Sequence, residues 1–162
     1  MRKKLLTLLV VCIVALLSAL SMPGVYATRP IAVSGSFDYT FTITSERWPD
    51  DHYIFEATEW ETWIGDFEGT AVSFFRVVWF KFPTGPLNVW LRSDFEGTVD
   101  GKEGTLVIQL VGWSHQGNWD GQWVIISGTG ELENLHGKGV WGGPGFGASG
   151  PDIWYSGQIH FD

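Results

Sequence analysis

Asp66-Phe67-Glu68-Gly69-Thr70 recurs letter for letter as Asp94-Phe95-Glu96-Gly97-Thr98, 28 residues further along the chain. A weaker echo, Gly128-Thr129, follows. Two strands of roughly ten residues with their turns occupy about that length, so the repeat is expected to mark the same corner of successive hairpins. That pattern points to an up-and-down antiparallel sheet of eight strands, closed into a barrel.

Working outward, Phe37, Tyr39, Phe41 and Ile43 alternate with Ser36, Asp38, Thr40 and Thr42, the two-residue period of a half-buried strand. Leu87, Val89, Leu91, Phe95 and Val99 fall on one face of another strand, with Asn88, Trp90, Arg92, Asp94 and Glu96 on the other. Asp100-Gly101 suits a two-residue primed turn, because both residue types tolerate positive φ. Leu106, Ile108 and Leu110 then continue the inner face. Phe67 to Phe80 is too apolar to alternate, as expected where both faces of a strand are covered. Tyr53 to Ile64 is assigned as strand on its aromatic content, although Tyr53, Ala57, Trp60 and Ile64 also fit a helical stripe. Pro83 to Pro86 turns the chain. After a polar loop, Ser114 to Gly121, come Gln122 to Gly128, a short segment Gly137 to Trp141 and a glycine-rich loop Gly142 to Gly150. Ile153, Tyr155, Ile159 and Phe161 alternate in a last strand.

The N-terminus reads as an export leader. Arg2, Lys3 and Lys4 precede an apolar run from Leu5 to Leu20, and Val25-Tyr26-Ala27 offers the small residues a signal peptidase wants. Residues 1–27 are therefore expected to be removed, leaving 28–162 as one secreted or extracytoplasmic domain; an uncleaved membrane anchor is the alternative. That domain is 135 residues, enough for a substantial core. The chain's one cysteine, Cys12, lies in the leader, so disulfides and thiol chemistry are excluded from the domain. Three of the ten basic residues go with the leader, leaving 7 Lys and Arg against 18 Asp and Glu and a net charge of about −11 with His neutral. Such an excess repels phosphate backbones, so nucleic acid is not an expected partner.

Phe95-Glu96-Gly97-Thr98-Val99-Asp100-Gly101-Lys102-Glu103-Gly104-Thr105-Leu106, then Ser127-Gly128-Thr129-Gly130-Glu131-Leu132 and Leu135-His136-Gly137-Lys138-Gly139, with Tyr155 in the last strand, give the chain from Gly65 to Asp162 a family likeness. It resembles an uncharacterised family of small bacterial proteins with an allene-oxide-cyclase-like barrel. The resemblance implies an eight-stranded antiparallel barrel with a lumen, like that of plant allene oxide cyclases and dirigent proteins, and it carries no agreed activity.

Catalytic signatures are scarce. His52, His115, His136 and His160 are 63, 21 and 24 residues apart, so no helical His pair exists, and no metal or cofactor is expected. No Gly-x-Ser-x-Gly elbow occurs. Glu56, Glu59, Glu61, Glu68, Asp94 and Glu96 all lie on expected strands, where two facing one cavity could act as acid and base; solvent-facing positions are the favoured expectation for all six. Arg76 and Arg92 are likewise expected to be exposed.

Ten Trp are more than a small barrel core can bury, so the surplus should line a cavity, an oligomer interface or an exposed platform. Trp113, Trp119 and Trp123 flank one loop, where they either cap a barrel mouth or stack on sugar rings. The leading expectation is a lumen lined by Tyr39, Phe41, Leu91, Phe95 and Tyr155 that binds a small apolar or amphipathic molecule. The alternatives are a cyclase or isomerase, which needs a polar group inside that apolar lumen, and a carbohydrate-binding module. The sequence assigns no catalytic residue.

Overall fold

In the computed structural model, which describes residues 29–115, 117–144 and 153–162, the alternating segments form eight strands. These are β1 (Ile31–Arg47), β2 (Tyr53–Gly65), β3 (Phe67–Trp79), β4 (Leu87–Val99), β5 (Lys102–His115), β6 (Asn118–Gly130), β7 (Leu135–Pro144) and β8 (Ile153–Phe161). Each pairs antiparallel with the next, and β8 returns to β1, where Ile31 stands opposite Ile159 and Phe37 opposite Ile153. The sheet closes on itself without a free edge, as expected of an up-and-down barrel. The Tyr53 to Ile64 segment is strand, not helix, and β7 runs three residues past Trp141 into the glycine-rich stretch. The leader, residues 1–27, and residues 145–150 of the glycine-rich loop lie outside the described residues.

The five-residue repeat has a different origin from the one its spacing suggested. Asp66 precedes β3 and Asp94 lies inside β4, so the two copies occupy neighbouring antiparallel strands and pair with each other. Glu68 faces Thr98, Gly69 faces Gly97, and Thr70 faces Glu96. A self-complementary phrase across one hairpin, not successive corners, produces the identity.

One end of the barrel is filled by rings. Trp63 stacks on Phe37 at 4.5 Å and touches Tyr155 at 5.1 Å, while Phe67 contacts Phe95, Trp123 and Tyr155 at 6.0, 5.7 and 5.3 Å between centroids. Tyr155 is anchored there, because its hydroxyl oxygen accepts the Phe67 N–H at 2.9 Å. At the other end a second set of rings, Trp48, Tyr53, Trp79 and Phe82, packs around the loops, with Trp48 on Tyr53 at 4.1 Å and Trp79 on Phe82 at 4.6 Å.

Eight of the ten Trp divide between the two faces of their strands, Trp79 at the end of β3 is half-buried against the core, and Trp48 lies in the loop after β1. Trp63, Trp119, Trp123 and Trp141 point inward and are buried, whereas Trp48, Trp60, Trp90, Trp113 and Trp154 are exposed. Trp141 lies flat against the wall because Gly112 and Gly121, paired across β5 and β6, leave it room; a Cβ on Gly112 would come within 2.5 Å of its ring. Its indole N–H is shared between the Val111 and Gln122 carbonyls, each at 3.2 Å.

Candidate functional site

The inner face of β2 reads Phe55, Ala57, Glu59, Glu61, Trp63, all buried. Strand geometry forces this sharing of one face, since residues two apart point the same way. With Phe55, Ala57 and Trp63 committed to the core, Glu59 and Glu61 must follow them in, to 5% and 2% exposure. The expectation that all six strand carboxylates face solvent is therefore corrected for these two. Glu68, Asp94 and Glu96 do face outward, as do Arg76 and Arg92, the latter paired with Asp94 at 3.3 Å.

Two neighbouring strands supply what the acids need. Ser73 on β3 faces Glu59 in register, and Ser93 on β4 faces Ser73, so the three form one polar layer in an otherwise apolar wall. Glu61 accepts from Ser73 Oγ on its Oε1, and on its Oε2 from Trp63 Nε1 at 2.6 Å and Ser93 Oγ at 2.9 Å. These three hydrogen bonds offset the cost of burying the Glu61 carboxyl group. Glu59 has no such set. Burial, the charge of Glu61 and a hydrogen bond with it push the Glu59 carboxyl up to about 9, so at neutral pH it holds a proton.

Beside Glu59 lies a cavity of about 30 Å³, lined by Phe37, Tyr39, Phe75, Leu91, Trp119 and Trp141 among others. At roughly 10–15 Å³ for each water, it holds two waters and nothing larger without movement of its lining. No Lys, Arg or His faces it among the described residues. Tyr39 is a neutral phenol here, because burial and then the nearby Glu59 push it up to about 12.

The five lumen residues expected from sequence separate. Tyr39 and Leu91 line the cavity. Phe41 stands further toward the open end, 37% exposed, with its ring 5.5 Å from Phe75. Phe95 and Tyr155 are locked in the ring-filled end and do not line this cavity. Trp113, Trp119 and Trp123 do not gather either: Trp113 faces out on β5, while Trp119 and Trp123 face in on β6. Among the described residues no cluster of His, Cys, Asp or Glu has the geometry of a metal site.

Ser73 and Ser93 were missed by sequence reasoning. The available signal was a break in pattern, a serine at an inner-face position of β3 between Ala71 and Phe75, and another on β4 between Leu91 and Phe95.

No curated protein is significantly similar to this chain. A crystal structure of a protein of unknown function from Shewanella oneidensis, from the DUF3224 family, superposes with a TM-score of 0.68 at 17% identity, covering 83% of this chain and 98% of that one. At that identity the likeness concerns the fold alone. Residues 34–142, the greater part of the chain and all of the strands that carry the acid pair, match the family described as protein of unknown function (DUF3224), and the chain belongs to that family.

Proposed function

We propose that this barrel binds a small apolar or amphipathic molecule in its lumen, with Glu59 as the polar contact. The observation that carries the reading is a cavity whose lining is apolar and aromatic apart from Tyr39 and one buried carboxyl group. Apolar walls with a few convergent polar groups are the usual make-up of a small-molecule site. A buried acid pair is also costly compared with apolar residues of the same volume, so its presence asks for a use beyond stability. A ligand larger than two waters displaces Tyr39 and Phe41, the lining and mouth residues with the most exposure and so the least packing to lose. Export through the 1–27 leader and kinship with allene-oxide-cyclase-like barrels belong to the same proposal, supported by the leader's composition and by an eight-stranded closed sheet.

The test is native mass spectrometry of protein purified from its own host, followed by extraction of whatever travels with it. A stoichiometric small molecule is expected, and Leu91→Trp, which fills the cavity, should purify empty. Equal occupancy in the Leu91→Trp protein would overturn the lumen as the site.

A second reading, an isomerase or cyclase, is favoured by one feature: a carboxylic acid beside a carboxylate, sharing a proton, is the pair that general acid–base chemistry requires. Turnover of the extracted molecule by the wild type, lost in both Glu59→Gln and Glu61→Gln, would establish it.

A further inference from the structure

The contact that Glu59 offers has a definite hydrogen-bonding sense. Glu61 is already occupied by Ser73, Ser93 and Trp63. A protonated Glu59 has one hydrogen to give, and it is engaged with Glu61. What Glu59 itself then turns toward the cavity is oxygen lone pairs, and the hydroxyl in the lining is that of Tyr39. The buried polar and charged side chains of the described residues are glutamates and serines only, so no buried cation balances the pair. A carboxylate ligand would meet the lone pairs of Glu59 beside a buried acid pair that no buried cation balances, with the Tyr39 hydroxyl as the one O–H donor in the lining.

Resting on the lumen-binding reading, we infer that the polar end of the ligand is a hydrogen-bond donor, best a primary ammonium group, and that carboxylate amphiphiles are strongly disfavoured. The ammonium N–H donates to Glu59, and the proton that Glu59 shared with Glu61 leaves for solvent. Before binding, the two carboxyls and their shared proton carry one negative charge. Afterwards, two carboxylates and one ammonium carry the same. The lumen therefore gains a cation without any change in its buried net charge, and no covalent bond is altered.

Full-length protein at pH 7 is titrated with n-butylamine, 1-butanol and butyrate, following the Trp63 indole N–H resonance, which reports directly on Glu61. Butylamine should bind at least about tenfold more tightly than 1-butanol, and butyrate should not saturate. A pH-stat titration should record about one proton released per butylamine bound and none for 1-butanol. In Glu59→Gln the amine preference and the proton release should both vanish. Butyrate binding as tightly as butylamine, or amine binding without proton release, would overturn the inference. If all three bind alike, lumen binding stands and the donor requirement falls; if none moves the Trp63 resonance, both fall. Should Glu59→Gln not fold, the proton count on the unaltered protein decides.

Discussion

Gly69 and Gly97 face each other across β3 and β4, and this pair is where the two copies of Asp-Phe-Glu-Gly-Thr meet. A Cβ on Gly97 would collide with the Glu68 carbonyl oxygen and come within 2.9 Å of the Phe95 ring, which the filled end of the barrel holds in place. Gly97→Ala should therefore cost about 1–3 kcal/mol, the usual penalty for overpacking, while Glu68→Gln on the outer face should stay within about 0.5 kcal/mol. Urea denaturation of both variants checks this, and equal midpoints would remove the close approach as the reason for glycine.

The β4–β5 turn places a different demand on its glycine. Asp100 and Gly101 have φ of 52° and 72°, the primed turn expected of that dipeptide, and a Cβ on Gly101 would meet nothing within 4 Å. The penalty for a side chain is then conformational alone. Gly101→Val should lower stability by about 1–2 kcal/mol, whereas Gly101→Asn, which tolerates the left-handed region, should change it by no more than a few tenths. Thermal melts that fail to separate Val from Asn would contradict the turn geometry.

Glu59 makes a signed prediction for pH. Its carboxyl rises from 4.5 to about 9 on folding, so between those values the native state keeps a proton that the unfolded chain has released. Stability contributed by this group is greatest below 4.5 and falls as pH rises toward 9, by up to about 1.4 kcal/mol per pH unit. Glu59→Gln removes the dependence. The difference in unfolding free energy between wild type and variant, measured from pH 5 to 9, should tilt toward the variant at high pH; a flat difference would mean that Glu59 is not protonated in the native state.

Phe41 tests the mouth. It is 37% exposed and makes an edge contact with Phe75, so Phe41→Trp should fit with a cost below about 1.5 kcal/mol, less than overpacking a closed core. Under the lumen proposal the larger ring should slow ligand entry in stopped-flow Trp fluorescence while leaving the dissociation constant within about threefold. Unchanged association rates would place entry elsewhere.

Strand alternation made most of the architecture legible. The period of two in β1, β4 and β8 needs nothing beyond local stereochemistry, and the Asp100-Gly101 turn follows from which residues accept positive φ. Leu91 and Tyr39 were readable as inner-face positions for the same reason. On β2 the local signal was balanced, with Phe55, Ala57 and Trp63 on one face and Ile54, Trp60 and Ile64 on the other. Either face could have been the core by hydrophobicity alone.

Closure of the sheet broke that tie. Once β2 lies between β1 and β3, the side of Trp63 must join Phe37, Phe67 and Tyr155 in the filled end, and Glu59 and Glu61 are carried inward with it. Ser73 and Ser93 become donors only because pairing brings β3 and β4 alongside, 12 and 32 residues from Glu61 in sequence. Sequence alone determined most of the strands, because alternation is a property of neighbours in the chain, although the stretch Ser114 to Gly121, expected as a loop, instead ends β5 and begins β6. Tertiary structure decided which charges are buried and which partners hold them, because burial and hydrogen bonding belong to contacts between residues that only the closed barrel brings together.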